Sequence, residues 1–593
     1  MIILIRNLYV RYVRYLTSFS SFSRIQLFAR NYTQVIRQLK MNEAILFHEE
    51  GSKQFKMTFR YINPVLNVDR QFNFQRQVDE SINYFIQRIY KNIHTYLIKT
   101  IYKKRKKHNE IIQINDNEIK FIKNHSILNG DLTCKSILEN SADIKLVIFD
   151  TEYVLKQNVP YILKIELPMS ILVGFPIYPS KFEGININKV NSIFTWYKKE
   201  NEKWIHVGEG FFYFPTISDV GCQLKISCIP KNNMEYGPPV EIISNNIVQI
   251  GPGLCPFDIR HVFTKNKLCN KNFRVTSYNI LANIYSETSV SKDTLYPYCP
   301  HYALSMDYRK LLILKELIGY NSDIICLQEV DAKIYKNDLQ VLLTTLNYNS
   351  VYNLKNDLRE GLAIFYNEEK FDKLSHNYSV ISQDINNLNE FNTVWSQIQN
   401  VNTKETFLNR NTIIQLIVLR SKENNEILIV GNTHLYFRLK ADHIRLLQAY
   451  YGLLYLHTFS KKIKKENPEC NVSILYCGDF NSTPQSAVYQ LMTQNYVNDD
   501  HSDWISDPQE HVQNISIKHD LNLASACGIP EYTNYTATFS GCLDYIFYQT
   551  DYLAVEQVIP MPSKQELSIY EGLPSIVSPS DHIALCVDLK WLK

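Results

Sequence analysis

The sequence runs to 593 residues, 45% of them hydrophobic and 21% charged, with a formal net charge of +4. That composition excludes a disordered or fibrous chain, and the length exceeds what a single hydrophobic core usually serves. The small charge leaves any nucleic-acid recognition to local clusters. Twelve cysteines without CxxC or CxxH spacing favour buried thiols over a zinc ribbon or a disulfide framework.

The first forty residues carry Arg6, Arg11, Arg14, Arg24, Arg30, Arg37 and Lys40, and the first acidic residue is Glu43. An arginine- and serine-rich, acid-free, apolar start is the composition of a mitochondrial transit segment, expected over 1–40. Arg6, Arg11 and Arg14 interrupt the apolar stretch and argue against a membrane span. No other segment approaches spanning length, so the expectation is a soluble protein of the mitochondrial matrix without membrane partners.

Residues 41–129 read as an accessory α+β region. A strand, "FKMTFRYI", precedes a helix that Asp79 or Ser81 could cap, with Ile82, Phe85, Ile86, Ile89, Ile93 and Leu97 at helical spacing. "YKKRKKHN" at 102–109 reads as a solvated basic linker rather than a nucleic-acid patch. Over 130–250 come short strands, "IKLVIF", "EYVLK", "SIFTWYKK", "QLKISCIP" and "VEIIS". With Trp196 and "DVGCQLKISC", they suggest a small immunoglobulin-like β-sandwich that carries no chemistry of its own.

"GPGLCPF" at 251–257 marks a boundary, and the domain expected over 251–593 changes texture. Apolar strand runs alternate with helical patterns, which predicts an α/β layered domain with strands buried on both faces. Several runs end in polar groups of one chemical kind. "TSYNI" gives Asn279, "CLQEVD" gives Glu329 and Asp331, and "GNTHLY" gives Asn432 and His434. "YCGDFNS" gives Asp479 and Asn481, "CLDYIFY" gives Asp544, and "SPSDHIAL" gives Asp581 and His582. A single strand-terminal Asp is usually a turn residue, and "GDFNSTP" alone fits a simple Asx-turn. Six such endings in one domain are harder to assign to turns. Carboxylates and carboxamides are hard oxygen ligands suited to Mg²⁺ or Mn²⁺, and histidines among them supply donors to a phosphate. No P-loop and no GxSxG elbow offers a competing chemistry.

In this order, "SYN", "LQEVD", "NTHL", "GDFNS", "LDYIF" and "SDH" resemble the endonuclease/exonuclease/phosphatase family. "TNYTATFSGCLDYIFY" and "GDFNSTP" are similar to its deadenylase branch. The likeness extends upstream through "VGFPIYPS", "GPGLCPFDIRHVFTK" and "LYPYCPHYALSMDYRK" to the members that act on 2′,5′-linked adenylates. The resemblance implies a four-layer α/β sandwich and Mg²⁺-dependent phosphodiester hydrolysis. Its substrates would be 2′,5′-oligoadenylates and the 3′ poly(A) tails of RNA, with 5′-AMP released. Carried over residue by residue, Glu329 is the principal metal ligand, supported by Asn279. Asp479 prepares the attacking water and Asn481 holds a phosphate oxygen, and both are counted with Glu329, Asn279 and Asp581 in the metal site. Asp581 sits near the metal. His582, kept cationic by Asp544, stabilises the transition state, and His434 is a second active-site histidine. Phe539 is the position on which adenine stacks, with Tyr535 and Leu439 as further base contacts. The branch carries proline where Leu439 stands. Arg438, Lys440 and Arg445 could meet backbone phosphates or face solvent. The rival expectations are a cytosolic or nuclear poly(A) deadenylase and a non-catalytic RNA-binding scaffold.

Overall fold

The computed structural model describes residues 42–63, 68–104, 119–149, 151–355 and 359–592. The expected transit segment therefore lies outside the described residues, as does most of the basic run after Lys104. The chain divides into two compact units. One comprises the described residues through Ile165 with Phe182–Phe194 and Ser227–Glu241, and the other Glu166–Lys181, Thr195–Ile226 and Ile242 onward.

The first unit holds a seven-stranded sheet in the order Val68–Gln77, Gln54–Asn63, Glu43–Phe47, Thr151–Gln157, Ile144–Ile148, Ile119–Lys123, Ser126–Ile127. The helix Ile82–Lys104 lays Ile82, Phe85, Ile89, Ile93 and Leu97 against Phe55, Met57, Phe59 and Phe74. Ser81 Oγ accepts the Tyr84 amide at 3.3 Å, the capping contact that the sequence suggests. The boundary expected at residue 130 is displaced. "IKLVIF" and "EYVLK" pair with the strands on either side in this sheet instead of entering a sandwich. Local alternation marks a strand but does not name its partner.

A four-stranded sheet with most of its residues in the second unit runs in the order Lys203–Glu209, Ile193–Glu200, Gln223–Ile229, Val240–Ile247. Trp196 is buried in it and donates its indole N–H to Gly210 O at 3.0 Å. The rest of the unit is built on two six-stranded sheets. The strands of the first are β1 (Asn272–Asn279), β2 (Ile324–Asp331), β3 (Tyr348–Leu354) and β4 (Glu360–Asn367). The second contributes β5 (Phe371–Val380), β6 (Ile413–Ser421), β7 (Ile427–His434), β8 (Val472–Asp479), β9 (Leu523–Ser525) and β10 (Asp544–Gln549). The first is completed by β11 (Leu553–Val558) and β12 (Leu585–Trp591). Their orders are β3-β4-β2-β1-β12-β11 and β5-β6-β7-β8-β10-β9. The parallel pairs β1/β2 and β7/β8 are each connected through a helix, α1 (Met306–Tyr320) and α2 (Asp442–Glu466), as parallel strands require.

The continuous apolar runs follow from burial on both faces. On the second sheet, Ile417, Leu419, Leu428, Val430, Leu475 and Cys477 share a core with Phe273, Val275, Ile324 and Cys326 of the first. Their alternate neighbours Leu416, Val418, Ile429, Ile474 and Tyr476 pack with α2 residues such as Ile444, Leu447 and Leu456. Helix, sheet, sheet, helix is the expected four-layer α/β arrangement. All twelve cysteines are free thiols, most of them buried. Among the described residues, no helix is long and apolar enough to cross a membrane.

Candidate active site

Strand register places the polar endings at one edge of the sandwich. In the second sheet His434 is opposite Asp479, and Asp479 is opposite Asp544, so β7, β8 and β10 deliver three polar side chains abreast. In the first sheet Asn279 lies beside Gln328, and Ser580–His582 precede β12, whose Leu585 pairs with Ser277. The two sheets meet through Asn279. Its Nδ2 donates to Glu329 Oε1 at 3.1 Å and to Asp479 Oδ2 at 3.0 Å. His434 Nε2 and His582 Nε2 each lie 3.6 Å from that same Asp479 oxygen. His582 Nδ1 is 2.8 Å from Asp544 Oδ2, which also accepts from Thr533 Oγ1 at 2.6 Å. Asp581 accepts from the Tyr296 hydroxyl at 2.9 Å.

Glu329 reaches the centre by a backbone device that the sequence does not display. Between Leu327 and Val330 the β2–β4 register shifts, a β-bulge, and Glu329 takes φ +54°. A left-handed glutamate costs free energy that only a re-aimed side chain justifies. Its Oε2 accepts the Ala282 amide at 2.8 Å. Arg309, fully buried on α1, donates to the carbonyls of Ile280, Leu281, Leu304 and Pro579 and to Ser286 Oγ. One guanidinium thus ties the turn after Asn279 to the turn before Asp581.

The Asp479 end is also a turn. Asn481 has φ +48°, and its amide donates to Asp479 Oδ1 at 2.9 Å, so the Asx-turn does form. Asn481 Nδ2 donates one of its two hydrogens to Leu435 O at 2.9 Å, which fixes the amide plane and leaves the second hydrogen to give. Phe480 is buried against Tyr476, Tyr545 and Phe547. At Gly478 a Cβ would stand 2.2 Å from Thr433 O on the neighbouring parallel strand. Gly478→Ala is therefore expected to cost at least about 2 kcal/mol by forcing β7 and β8 apart, read as a lowered thermal midpoint; an unchanged midpoint would contradict that packing.

Electrostatics separate the two histidines. Burial opposes a charge on His582, but Asp544 and Asp479 outweigh it and hold the imidazolium well above the ordinary range. Burial, with Lys355 and His582 adding to it, keeps His434 neutral. Burial, reinforced by the Glu360 and Asp581 charges, pushes Glu329 up to about 7. Burial and Asp544 push Asp479 up to about 6. Crowded buried carboxylates of this kind are what a divalent cation relieves, and the oxygen-rich donors suit a hard one. Asp479, Asp544 and His582 offer ligand atoms within 4.8 Å of one another. Since Asp544 and His582 are spent on each other, Glu329 and Asp479, with Asn279 and Asp581 beside them, are the donors that fit an ion.

One expected contact, Tyr535, changes, and the residues left open are placed. Tyr535 is buried against Tyr532, Leu567, Leu573 and Ile583, and its amide donates to Asp581 O at 3.0 Å; it braces the site and offers no face to a base. Asn432 spans the sheets, accepting from Gln328 Nε2 and donating to Leu327 O, and reaches no ligand position. Arg438 is paired with Asp507 and Glu510, and Arg445 with Asp442, so neither side chain is left over for phosphate; Lys440 is exposed. Leu439 is 87% exposed on the loop after β7, together with Phe437 at 73%, which the sequence reading passed over. Phe539, 43% exposed, keeps a ring surface free for stacking. Lys355 and Glu360 were not singled out either; the only local signal is the polar "LREG" before an apolar strand.

Comparison with known proteins is consistent with this geometry. A sequence profile described as the endonuclease/exonuclease/phosphatase family matches residues 276–582. A second, described as 2′,5′-phosphodiesterase 12-like, N-terminal domain, matches residues 159–249. The 2′,5′-phosphodiesterase 12 of Bos taurus is 38% identical over 470 residues, covering 75% of this chain and 76% of the relative. The CCR4-Not complex 3′-5′-exoribonuclease subunit Ccr4 of Schizosaccharomyces pombe is 32% identical over 355 residues, covering 54% of this chain and 49% of the relative. A crystal structure of ANGEL2, described as a 2′,3′-cyclic phosphatase in complex with adenosine-2′,3′-vanadate, aligns with a TM-score of 0.44 at 24% identity, over 55% of this chain and 97% of that one.

Proposed function

This chain belongs to the endonuclease/exonuclease/phosphatase family, and from that premise we propose that it is a Mg²⁺-dependent phosphodiesterase and 3′ exoribonuclease. It hydrolyses 2′,5′-oligoadenylates and the 3′ poly(A) tails of RNA and releases 5′-AMP. The observation that carries the reading is the Asn279 amide joining Glu329 to Asp479, with both histidines facing the same Asp479 oxygen. Phosphodiester hydrolysis needs a base for the attacking water, positive charge at the phosphoryl oxygens and a proton for the leaving ribose oxygen; Asp479, a bound cation and the two histidines offer places for these.

Glu329 and Asp479, backed by Asn279 and Asp581, would hold the ion. When bound, Mg²⁺ neutralises charge developing on the phosphoryl group and lowers the pKa of water. Asp479 orients the attacking water and takes its proton at Oδ2. The His582 Nε2–H donates to a phosphoryl oxygen with a full positive charge behind it, because Asp544 holds the proton on Nδ1. Asn279 keeps the two carboxylates from drifting apart. Phe539 offers a stacking face to the terminal adenine. Phe539→Ala is expected to raise KM for oligoadenylates by about tenfold and to alter kcat little, as checked by initial rates; an unchanged KM would remove Phe539 from the base site.

The test is direct. Purified protein is incubated with 2′,5′-triadenylate or with 3′,5′-linked oligo(A), with and without Mg²⁺, and AMP is followed. Release that needs the ion is expected; no release from either substrate overturns the proposal. The arginine-rich, acid-free residues 1–40 support residence in the mitochondrial matrix. A fluorescent fusion lacking them is expected to stay outside mitochondria, and unchanged import would refute that placement.

A further inference from the structure

The β3–β4 hairpin brings a second pair of charges to the back of His434. Lys355 follows β3 and Glu360 opens β4; the Lys355 amide donates to Glu360 O at 3.1 Å. Lys355 Nζ lies 2.9 Å from Glu360 Oε1 and 3.0 Å from His434 Nδ1. Both side chains are buried, and neither Glu360 carboxylate oxygen makes a hydrogen bond, so charge alone holds Lys355 to it. An ammonium carries hydrogens and no lone pair, so at 3.0 Å it can only donate. His434 Nδ1 must then be the acceptor, and a neutral imidazole that accepts at Nδ1 bears its hydrogen on Nε2. The other tautomer would set an N–H against the ammonium, and the imidazolium would set charge against charge.

We propose that Lys355, anchored by Glu360, is a positioning residue that fixes His434 as the Nε2–H tautomer and turns that N–H toward Asp479 and the substrate phosphoryl group. The centre then has a matched pair of donors. His582 Nε2 and His434 Nε2 both stand 3.6 Å from Asp479 Oδ2, the first steered through its Nδ1 by a carboxylate and the second through its Nδ1 by an ammonium. Each ring reaches the phosphoryl group with a hydrogen to give. Glu360 is there because a lone buried ammonium would be too costly.

What the His434 hydrogen does for catalysis rests on the proposed phosphodiesterase reading; the tautomer itself does not, so the two are tested apart. Protein labelled with ¹³C,¹⁵N-histidine is studied by NMR without substrate, His434 being assigned by loss of its signals in His434→Gln. The expected wild-type spectrum shows a pyridine-type Nδ1 and a protonated Nε2 at His434. A protonated Nδ1 overturns the proposal, whatever the variants do. In Lys355→Met/Glu360→Gln, which leaves no unpaired buried charge, the His434 signals are expected to move toward the other tautomer. The kcat should fall about tenfold to a hundredfold while KM stays within a few-fold. Lys355→Arg is expected to keep the wild-type tautomer and most of kcat. An unchanged tautomer and unchanged kcat in the double variant would overturn the assignment. Inactivity of the wild type on adenylates would refute the reaction and leave the tautomer result standing.

Discussion

Asp479→Asn is expected to lower kcat for AMP release by about 10²- to 10⁴-fold while the protein stays folded. The substitution keeps the shape of the side chain and removes its capacity to take a proton. Asp479 is 1% exposed, and burial with the nearby Asp544 charge pushes its carboxyl up to about 6. Its ionised form is therefore harder to hold in the folded protein than in the unfolded chain. The sign follows from linkage. A carboxyl raised from about 4 to about 6 takes up protons on folding between those values, so its contribution to stability falls as pH rises through that window. A neutral amide escapes that cost, and the thermal midpoint of Asp479→Asn at pH 7.5 should equal or exceed that of the wild type. Large loss of rate with no loss of stability separates a chemical role from a structural one. A fall in kcat of less than tenfold would show that water is activated elsewhere.

The second large effect is expected at Asp544. His582 is buried, which alone would drive off its proton, and the Asp544 oxygen 2.8 Å from Nδ1 is the main force retaining it. A histidine raised in this way keeps its charge through neutral pH and loses it only well above its ordinary range. Asp544→Asn removes the carboxylate and leaves burial unopposed except by Asp479 and Asp581. The alkaline limb of the kcat/KM profile should then move to lower pH, and activity at pH 8 should fall by about 10²-fold or more. The Asp544 charge also helps to raise the Asp479 carboxyl, so an acid limb set by Asp479 should move to lower pH as well, and the profile should shift toward acid rather than narrow from one side. An alkaline limb that does not move would mean that His582 is not the group losing a proton there. Arg309 predicts no such pH effect, since its guanidinium touches main-chain carbonyls and Ser286 Oγ rather than either titrating group.

The catalytic layers were legible in the sequence because strands buried on both faces must be apolar at nearly every position, as "ILIV" is throughout and "IIQLIVL" is but for Gln415. The candidate site was legible for a related reason. An apolar strand that ends in Asn, Glu, His or Asp cannot hide those groups, so their order along the chain is informative even without coordinates. Register then decides which of them meet, and register is not local: His434, Asp479 and Asp544 become neighbours through two strand pairings. The bulge that turns Glu329 toward Asn279 leaves no mark in "CLQEVD", since nothing in those residues demands a positive φ. Tyr535 and Phe539 belong to one motif and look equivalent as aromatics, yet one packs under Asp581 and the other keeps an open face. Lys355 and Glu360 escaped notice because an isolated Lys and Glu near a turn are ordinarily solvated, and only the hairpin fold buries them against His434. The boundary expected at 130 failed for the same reason as the sheet pairing around it. Hydrophobic alternation says that residues 144–157 are strands and is silent on which sheet takes them.

The claim on which the rest depends is that Glu329 and Asp479, brought from two sheets and bridged by Asn279, jointly hold one divalent cation. Anomalous diffraction from crystals soaked in Mn²⁺ measures this without reference to turnover. The account predicts a single strong peak with a Glu329 carboxylate oxygen in direct contact and Asp479 in its immediate shell, lost in Glu329→Gln. A peak that ignores Glu329, or one that persists unchanged in Glu329→Gln, would contradict it.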